Sequence, residues 1–217
     1  MTDDAARECG ICHGTRKGDW FSTASGVHFY PLDPRPEDFR LYDIANSLSK
    51  LPRFLGHLRC FYSVAQHSVL VSELCPEHPV TGLLHESPES VICDMPSPLK
   101  YQPEMRAYRD IEKPLEKCAF ARYLPLREWY HYSAGRAFEM PADVREMDRR
   151  MLVTEAIQLH PHGIEGWSGE YQMTEPVPIR IRPWGWRKAR RRFVQRYEKL
   201  AGKKVSWFWL GRRVLDY

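Results

Sequence analysis

Over most of the chain from about residue 40 to residue 201 the apolar residues recur at intervals of three and four, and that spacing dictates helices rather than strands. In the stretch 62–74, Val64, Val71 and Leu74 mark one helical stripe. Near the C-terminus Ala189, Phe193, Tyr197 and Leu200 follow one another at helical spacing, with Lys and Arg filling most positions between. The pattern predicts helices over about 40–50, 60–75, 80–92, 103–122, 125–139, 142–160 and 186–201. Ahead of them, residues 22–40 carry a short hairpin with Ser25-Gly26 as its turn. Pro36-Glu37-Asp38 reads as a helix start, with proline early and acids in the first turn. The expected architecture is a compact all-α domain over residues 21–201, with a loose lead-in at 1–20 and a Trp-rich extension at 202–217.

Composition narrows the class of molecule. A chain of 217 residues with 43% apolar and 28% charged residues can bury a large core without disulfides or structural metals. No run approaches the about 18 apolar residues of a membrane span. The opening MTDDAARECG lacks the basic-then-apolar order of a signal peptide, so a cytoplasmic protein is expected. Cys60, Cys75, Cys93 and Cys118 sit singly in apolar stretches, where reduced, buried thiols are expected. Cys9, Cys12 and His13 have the spacing of a haem attachment site, which fits poorly without secretion. A small zinc site using Cys9, Cys12, His13 or His28 fits better, and a plain N-terminal tail is the simpler reading.

Four segments could carry chemistry. His67 occupies a gap in the Val64–Val71–Leu74 stripe, as either a satisfied core histidine or a ligand. In Leu84-His85-Glu86-Ser87-Pro88-Glu89, His85 and Glu89 share a helical face while Glu86 points about 100° away. Imidazole and carboxylate suit borderline divalent cations, although the same residues could form a solvated helix face. Asp94 precedes a rigid Pro96-Ser97-Pro98 turn, as a fixed acid or a cap, and Lys100 beyond it could meet a phosphate. Asp148 lies four residues after Val144 and four before Leu152, so it falls in an apolar stripe. An acid buried there needs a cation, strong hydrogen bonds or an arginine partner.

The order histidine, then histidine–acid, then a distant helical aspartate, in an all-α chain, resembles the HD-domain metal-dependent phosphohydrolases. Phe29-Tyr-Pro-Leu-Asp-Pro-Arg-Pro-Glu-Asp38, Arg53-Phe-Leu-Gly-His57, Phe61-Tyr-Ser-Val-Ala-Gln-His-Ser68, Pro96-Ser-Pro-Leu-Lys-Tyr101 and Trp184-Gly-Trp186 extend the likeness over residues 20–201. They are similar to small bacterial and phage members, the 5′-deoxynucleotidase and deoxynucleoside triphosphate hydrolase group. The resemblance implies a compact HD-domain helical bundle with His67, His85, Glu86 and Asp148 as ligands of a divalent ion (Mn²⁺, Co²⁺ or Zn²⁺, with Mg²⁺ also allowed). It implies that Glu89 and Asp94 order the attacking water and protonate the leaving group. Arg53, Phe54 and Lys100 would hold the nucleotide, the Phe54 ring lying near sugar or base. One departure is plain: the family's His-Asp pair is here His85-Glu86, whose longer side chain shifts the cation by a methylene or demands a different backbone position.

The implied reaction is phosphate hydrolysis on a deoxynucleotide, either from a 5′-monophosphate or as triphosphate from a substrate such as dATP, with water activated at the ion. Two rivals stand beside it: a catalytically weak nucleotide- or nucleic-acid-binding regulator, motivated by Glu86, and a phosphodiesterase on a cyclic or signalling nucleotide. Residues 180–196 hold eight basic residues and no acid, a composition that can bind nucleic acid. The helical spacing of Phe193 and Tyr197 argues instead for core rings beneath a solvated charged face. The resemblance implies a homo-oligomer, and the Trp-rich C-terminus could supply an interface. His160-Pro161-His162, followed by Gly163, reads as a helix end on the surface rather than a metal site.

Overall fold

The computed structural model describes residues 16–134, 138–167 and 169–205. Cys9, Cys12, His13 and positions 206–217 of the Trp-rich extension lie outside the described residues. The fold is all-α apart from a short hairpin. Strands Phe21–Ser22 (β1) and His28–Phe29 (β2) pair antiparallel, with Phe21 opposite Phe29. The turn between them is pinned by Asp43, whose carboxylate accepts from the Ser25 amide (2.8 Å) and hydroxyl (2.5 Å).

The helix expected to start at Pro36 is one turn of 3-10 helix, Pro36–Asp38. Phe39 leaves it in an extended conformation to bury its ring, while Arg16 holds Asp38 through two 2.7 Å hydrogen bonds. Helix α1 then spans Leu41–Leu48 and α2 spans Val64–Leu74, the latter capped by the Ser63 hydroxyl accepting from the Gln66 amide. The helix expected over 80–92 is divided into α3 (Pro79–Leu84) and α4 (Glu89–Ile92). Between them the chain tightens to i→i+3 bonds, Ser87 N to Leu84 O (2.8 Å) and Glu89 N to Glu86 O (3.1 Å). Pro88 has no amide to donate there, which explains the break.

Beyond it lie α5 (Ser97–Lys100), a 3-10 turn at Pro103–Met105, α6 (Arg106–Tyr123) and α7 (Leu126–Ser133). Helix α7 stops short of the predicted 139: Ala134 is extended, and Phe138 turns back against Tyr132 with ring centroids 5.6 Å apart. The last elements are α8 (Ala142–Leu159), α9 (Glu170–Met173) and α10 (Trp186–Ala201). Ala189, Phe193 and Tyr197 of α10 are buried and Arg191 and Arg192 are exposed, as the spacing predicts.

Helix α2 runs through the middle of the molecule. Val64, Ala65 and Val69 join a core with Ile44, Leu48, Leu83, Phe120 and Phe193, while Val71 and Cys75 join a second with Tyr62, Met151 and Leu159. A helix buried on both flanks carries few charges: Gln66, His67, Ser68 and Ser72 are interior, and its one charged side chain, Glu73, is exposed. Gly82 lets α3 approach α2: a Cβ there would stand 2.9 Å from Cys75 Sγ and 3.3 Å from the Ser72 Cα. Cys75 and Cys118 are buried free thiols, but Cys60 and Cys93 are exposed, contrary to the sequence reading. Both lie where a regular element has ended, Cys60 in a bend and Cys93 after α4 with φ 64°. No helix among the described residues is long and apolar enough to cross a membrane.

Candidate metal centre and its pocket

Helix α2 and two elements packed around it deliver the four predicted ligands to one point. His67 comes from the middle of α2, His85 and Glu86 from the turn after α3, and Asp148 from α8. One ligand atom from each of the four lies within 4.8 Å of all the others. His67 Nε2 is 3.3 Å from His85 Nε2 and 3.0 Å from Asp148 Oδ1. His85 Nε2 is 3.6 Å from that oxygen and 3.5 Å from Glu86 Oε1, which is 3.8 Å from His67 Nε2.

The orientation of both rings is fixed from behind. His85 Nδ1 donates to the Gly82 carbonyl (2.9 Å), which can only accept, so Nε2 carries the free lone pair. His67 Nδ1 faces Glu155 Oε1 at 2.6 Å. Glu155 is fully buried, accepts from the Tyr62 hydroxyl (2.8 Å) and pairs with Arg53 Nη2 (3.4 Å), whose Nη1 lies 3.1 Å from Glu86 Oε1. This is the carboxylate–histidine support that metal sites use to orient an imidazole.

The donor set fits a divalent cation. Two atoms each about 2.1 Å from one ion lie about 3.0–3.4 Å apart at common coordination angles, close to the shorter separations found here. Charge points the same way. Glu86, Asp148 and Glu155 bring three negative charges against the single positive charge of Arg53, leaving a deficit of two when both imidazoles are neutral. In the protein alone a proton partly makes this good. Burial and the charge of Arg53 oppose it, but Glu155 and Asp148 outweigh them and push His67 up to about 9. Burial also opposes ionisation of Asp148, yet the facing imidazoles of His67 and His85 hold its carboxyl well below the usual range. Glu86 is lowered against its burial by His85 and Arg53. A buried His/Glu/Asp cluster of this kind could hold a metal ion.

The cluster opens on a cavity of about 600 Å³ lined by Glu86 and Asp148 on one side and Phe54, Trp167 and Tyr171 among its walls. That volume is typical of small-molecule sites. Asp148 is the most open ligand, its side chain 40% exposed. Glu89 and Asp94 both line the cavity. Glu89 is buried, its Oε2 has no hydrogen-bond partner, and burial together with Glu86 and Asp94 raises its pKa well above the ordinary value.

The three expected nucleotide-holding residues also reach this cavity, in different states. Arg53 is buried with both terminal nitrogens committed to Glu86 and Glu155, while its Nε has no partner. Lys100 spends its ammonium on Glu112 at 2.6 Å, a carboxylate that raises its pKa against the effect of burial. Phe54 is presented by an unusual backbone: Phe54 and Leu55 have φ 53° and Gly56 has φ 83°. Left-handed conformation costs a non-glycine residue about 1–2 kcal/mol. The strained turn is clamped at its base by Arg53 N to Tyr62 O (2.9 Å) and Val64 N to Leu51 O (3.0 Å).

Sequence reasoning missed Glu155, Tyr62, Trp167 and Tyr171. Glu155 left a signal: it follows Asp148 by seven residues, two helical turns, inside the apolar run Leu152-Val-Thr-Glu-Ala-Ile157. Trp167 and Tyr171 left none, because they sit in an aperiodic stretch rich in turns.

No family model matches the chain. Over 137 residues it is 39% identical to the uncharacterized protein YfdR of Escherichia coli, a stretch that covers 63% of this chain and 70% of YfdR. The chain belongs to the YfdR family. An uncharacterized protein of Rhodobacter capsulatus is 39% identical over 94 residues, or 39% of this chain, which spans about half (48%) of that relative's length. For this member of the YfdR family, function therefore has to be argued from the site.

Proposed function

We propose that the chain is a metal-dependent phosphohydrolase acting on deoxynucleotides, either 5′-monophosphates or triphosphates. The observation that carries this reading is the convergence of four ligand atoms at the wall of a substrate-sized cavity that also holds a partnerless buried carboxyl oxygen. His67, His85, Glu86 and Asp148 would hold Mn²⁺, Co²⁺ or Zn²⁺, with Mg²⁺ less suited to two imidazoles. When bound, such an ion polarises a phosphoryl oxygen and acidifies water.

The protein's own residues divide the remaining work. Glu155 fixes the His67 ring, and Arg53 keeps Glu86 turned toward the ligand cluster while adding positive charge near the transferred phosphate. Glu89 is the proton carrier: its neutral form is favoured by burial and by Glu86 and Asp94, and its free Oε2 is available to a leaving oxygen. Asp94, half-buried on the cavity wall, is the carboxylate left to orient water. An incoming phosphate competes with Glu112 for Lys100, so that lysine aids binding only when its side chain swings away.

The test is chromatographic product analysis. Metal-stripped protein is reloaded separately with Mn²⁺, Co²⁺, Zn²⁺ and Mg²⁺ and incubated with each deoxynucleoside mono- and triphosphate, with Asp148→Ala alongside. Orthophosphate from a monophosphate identifies a nucleotidase, and intact tripolyphosphate identifies a triphosphohydrolase. Asp148→Ala is expected to fall to background in either case. Absence of product with every cation overturns the proposal.

A further inference from the structure

Part of the cavity lining is aromatic and comes from a segment that contributes no residue to the ligand cluster. Residues 160–167 leave the end of α8 and turn through Gly163 and Gly166, both with positive φ, and with residues 169–173 they bring Trp167 and Tyr171 to the cavity. The segment is tied down at both ends of its aromatic pair. Trp167 N donates to Ile164 O (3.1 Å), the Trp167 carbonyl accepts from Gln172 Nε2, and Glu170 forms an ion pair with Arg149 at 2.8 Å. Arg149 follows Asp148 directly, so the wall and the ligand hang from the same turn of α8.

Phe54 faces this wall. Its ring and that of Trp167 are 28° from parallel with centroids 6.4 Å apart, toward the far end of the range for paired rings. A planar group packed at about 3.5 Å on each face needs about 7 Å between the rings that hold it. The centroid separation is an upper bound on the gap between the faces, so the pair must open by at least about 0.6 Å to admit one ring. Tyr171 buttresses Trp167 edge-on at 5.7 Å, and His160 borders Phe54 at 6.2 Å, so each ring is backed by another. The left-handed backbone at Phe54 and Leu55 is held by the clamped turn, and the Arg53 guanidinium carbon lies 5.9 Å from the Phe54 ring centroid.

We propose that Phe54 and Trp167 form a slot that takes the planar base of a nucleotide whose phosphate lies against Glu86, Asp148 and their cation. The phosphate end of this statement rests on the phosphohydrolase reading above; the base end rests on the two rings. Trp167 is then a specificity-determining residue: it selects substrates with a base over phosphate esters without one, and stacking selects purines over pyrimidines by area.

The experiment measures equilibrium binding to the Mn²⁺-loaded protein by titration calorimetry. The probes are deoxyadenosine 5′-monophosphate, thymidine 5′-monophosphate and the base-free deoxyribose 5-phosphate, with phosphate release followed in parallel. Trp167→Leu is expected to weaken deoxyadenosine monophosphate binding about tenfold and deoxyribose phosphate binding far less, with Trp167→Phe falling between. Thermal melting of each variant separates a lost slot from a lost fold, and Trp167→Phe supplies the reading if the leucine variant melts early. Unchanged nucleotide affinity in Trp167→Leu, an equal loss for the base-free probe, or no nucleotide binding by the intact protein overturns the slot. Trp167-dependent nucleotide binding without phosphate release under any cation leaves the slot standing and overturns the hydrolase. Phosphate release that ignores Trp167 does the reverse.

Discussion

Helices α3 and α8 each carry histidine–carboxylate chemistry at two points along their length. At one end His78 precedes α3 and Asp143 lies in the first turn of α8; at the other His85 follows α3 and Asp148 lies further along α8. In the first cluster every acceptor has a donor. Asp143 Oδ1 is 2.7 Å from His78 Nδ1, and Oδ2 accepts the amides of Glu77 (3.3 Å) and His78 (3.1 Å). His78 Nε2 reaches His131 Nδ1 at 2.5 Å, while Glu128 accepts the amides of Val80 and Thr81 and the Thr81 hydroxyl at the open end of α3. In the second cluster two imidazole Nε2 atoms and two carboxylate oxygens face one another. Composition is nearly the same in both; the matching of donors to acceptors differs. A histidine–acid cluster closed by N–H groups holds helices together, and one whose acceptors converge asks for a cation.

That contrast is broken most sharply by metal analysis. His67→Ala is expected to abolish metal retention after exposure to Mn²⁺ or Zn²⁺ and desalting. His78→Ala is expected to keep the metal content of the intact protein and to lose about 1–2 kcal/mol of stability in urea unfolding. Equal metal loss in both would erase the distinction. A smaller effect falls on the support behind His67: Glu155→Gln keeps a hydrogen-bonding group of the same shape and is expected to weaken metal affinity about 10–100-fold by competition with a chelating dye.

The smallest effect is one of pH. Burial works against ionisation of Asp143, but the bonds from His78 and the two amides lower its pKa from the ordinary 3.8. A carboxyl depressed in the folded state contributes stability above its unfolded value and loses it as pH falls through the folded one. Asp143→Asn should therefore flatten the decline of stability on the acid side of about pH 4, measured by denaturant titration at a series of pH values. A decline as steep as in the parent chain would show that Asp143 is not a source of acid lability.

How much of this could be read beforehand varies with how local the cause is. Helices α1, α2, α8 and α10 follow from spacing alone, since each repeats its apolar residues at intervals of three and four. His67 and Asp148 stood out because each interrupts such a stripe, and a polar residue in a buried row has to be answered by something across the core. The 80–92 segment failed as one helix because Pro88, with no amide to continue the bonding, divides it into α3 and α4. Arg53 was read as a hand for the substrate, whereas burial turns it inward to join Glu86 and Glu155, residues 33 and 102 positions away. Phe54 gave no hint of its left-handed backbone, lacking the Gly or Asn that usually marks one. Trp167 becomes meaningful only once tertiary structure brings it opposite Phe54.

The bond between His78 and Asp143 has one more consequence. It fixes where α8 begins relative to α3, and Asp148 stands five residues further along a helix that rises about 1.5 Å and turns about 100° per residue. Slipping α8 by a single residue would carry the carboxylate off the shared point by more than a coordination sphere tolerates. The closed cluster therefore helps to index the open one without taking part in its chemistry, and the buried Val144, Met151 and Leu159 of α8 hold the same register when His78 is truncated. Length changes between positions 143 and 148 are thus far more disruptive than substitutions on the exposed face of the same helix.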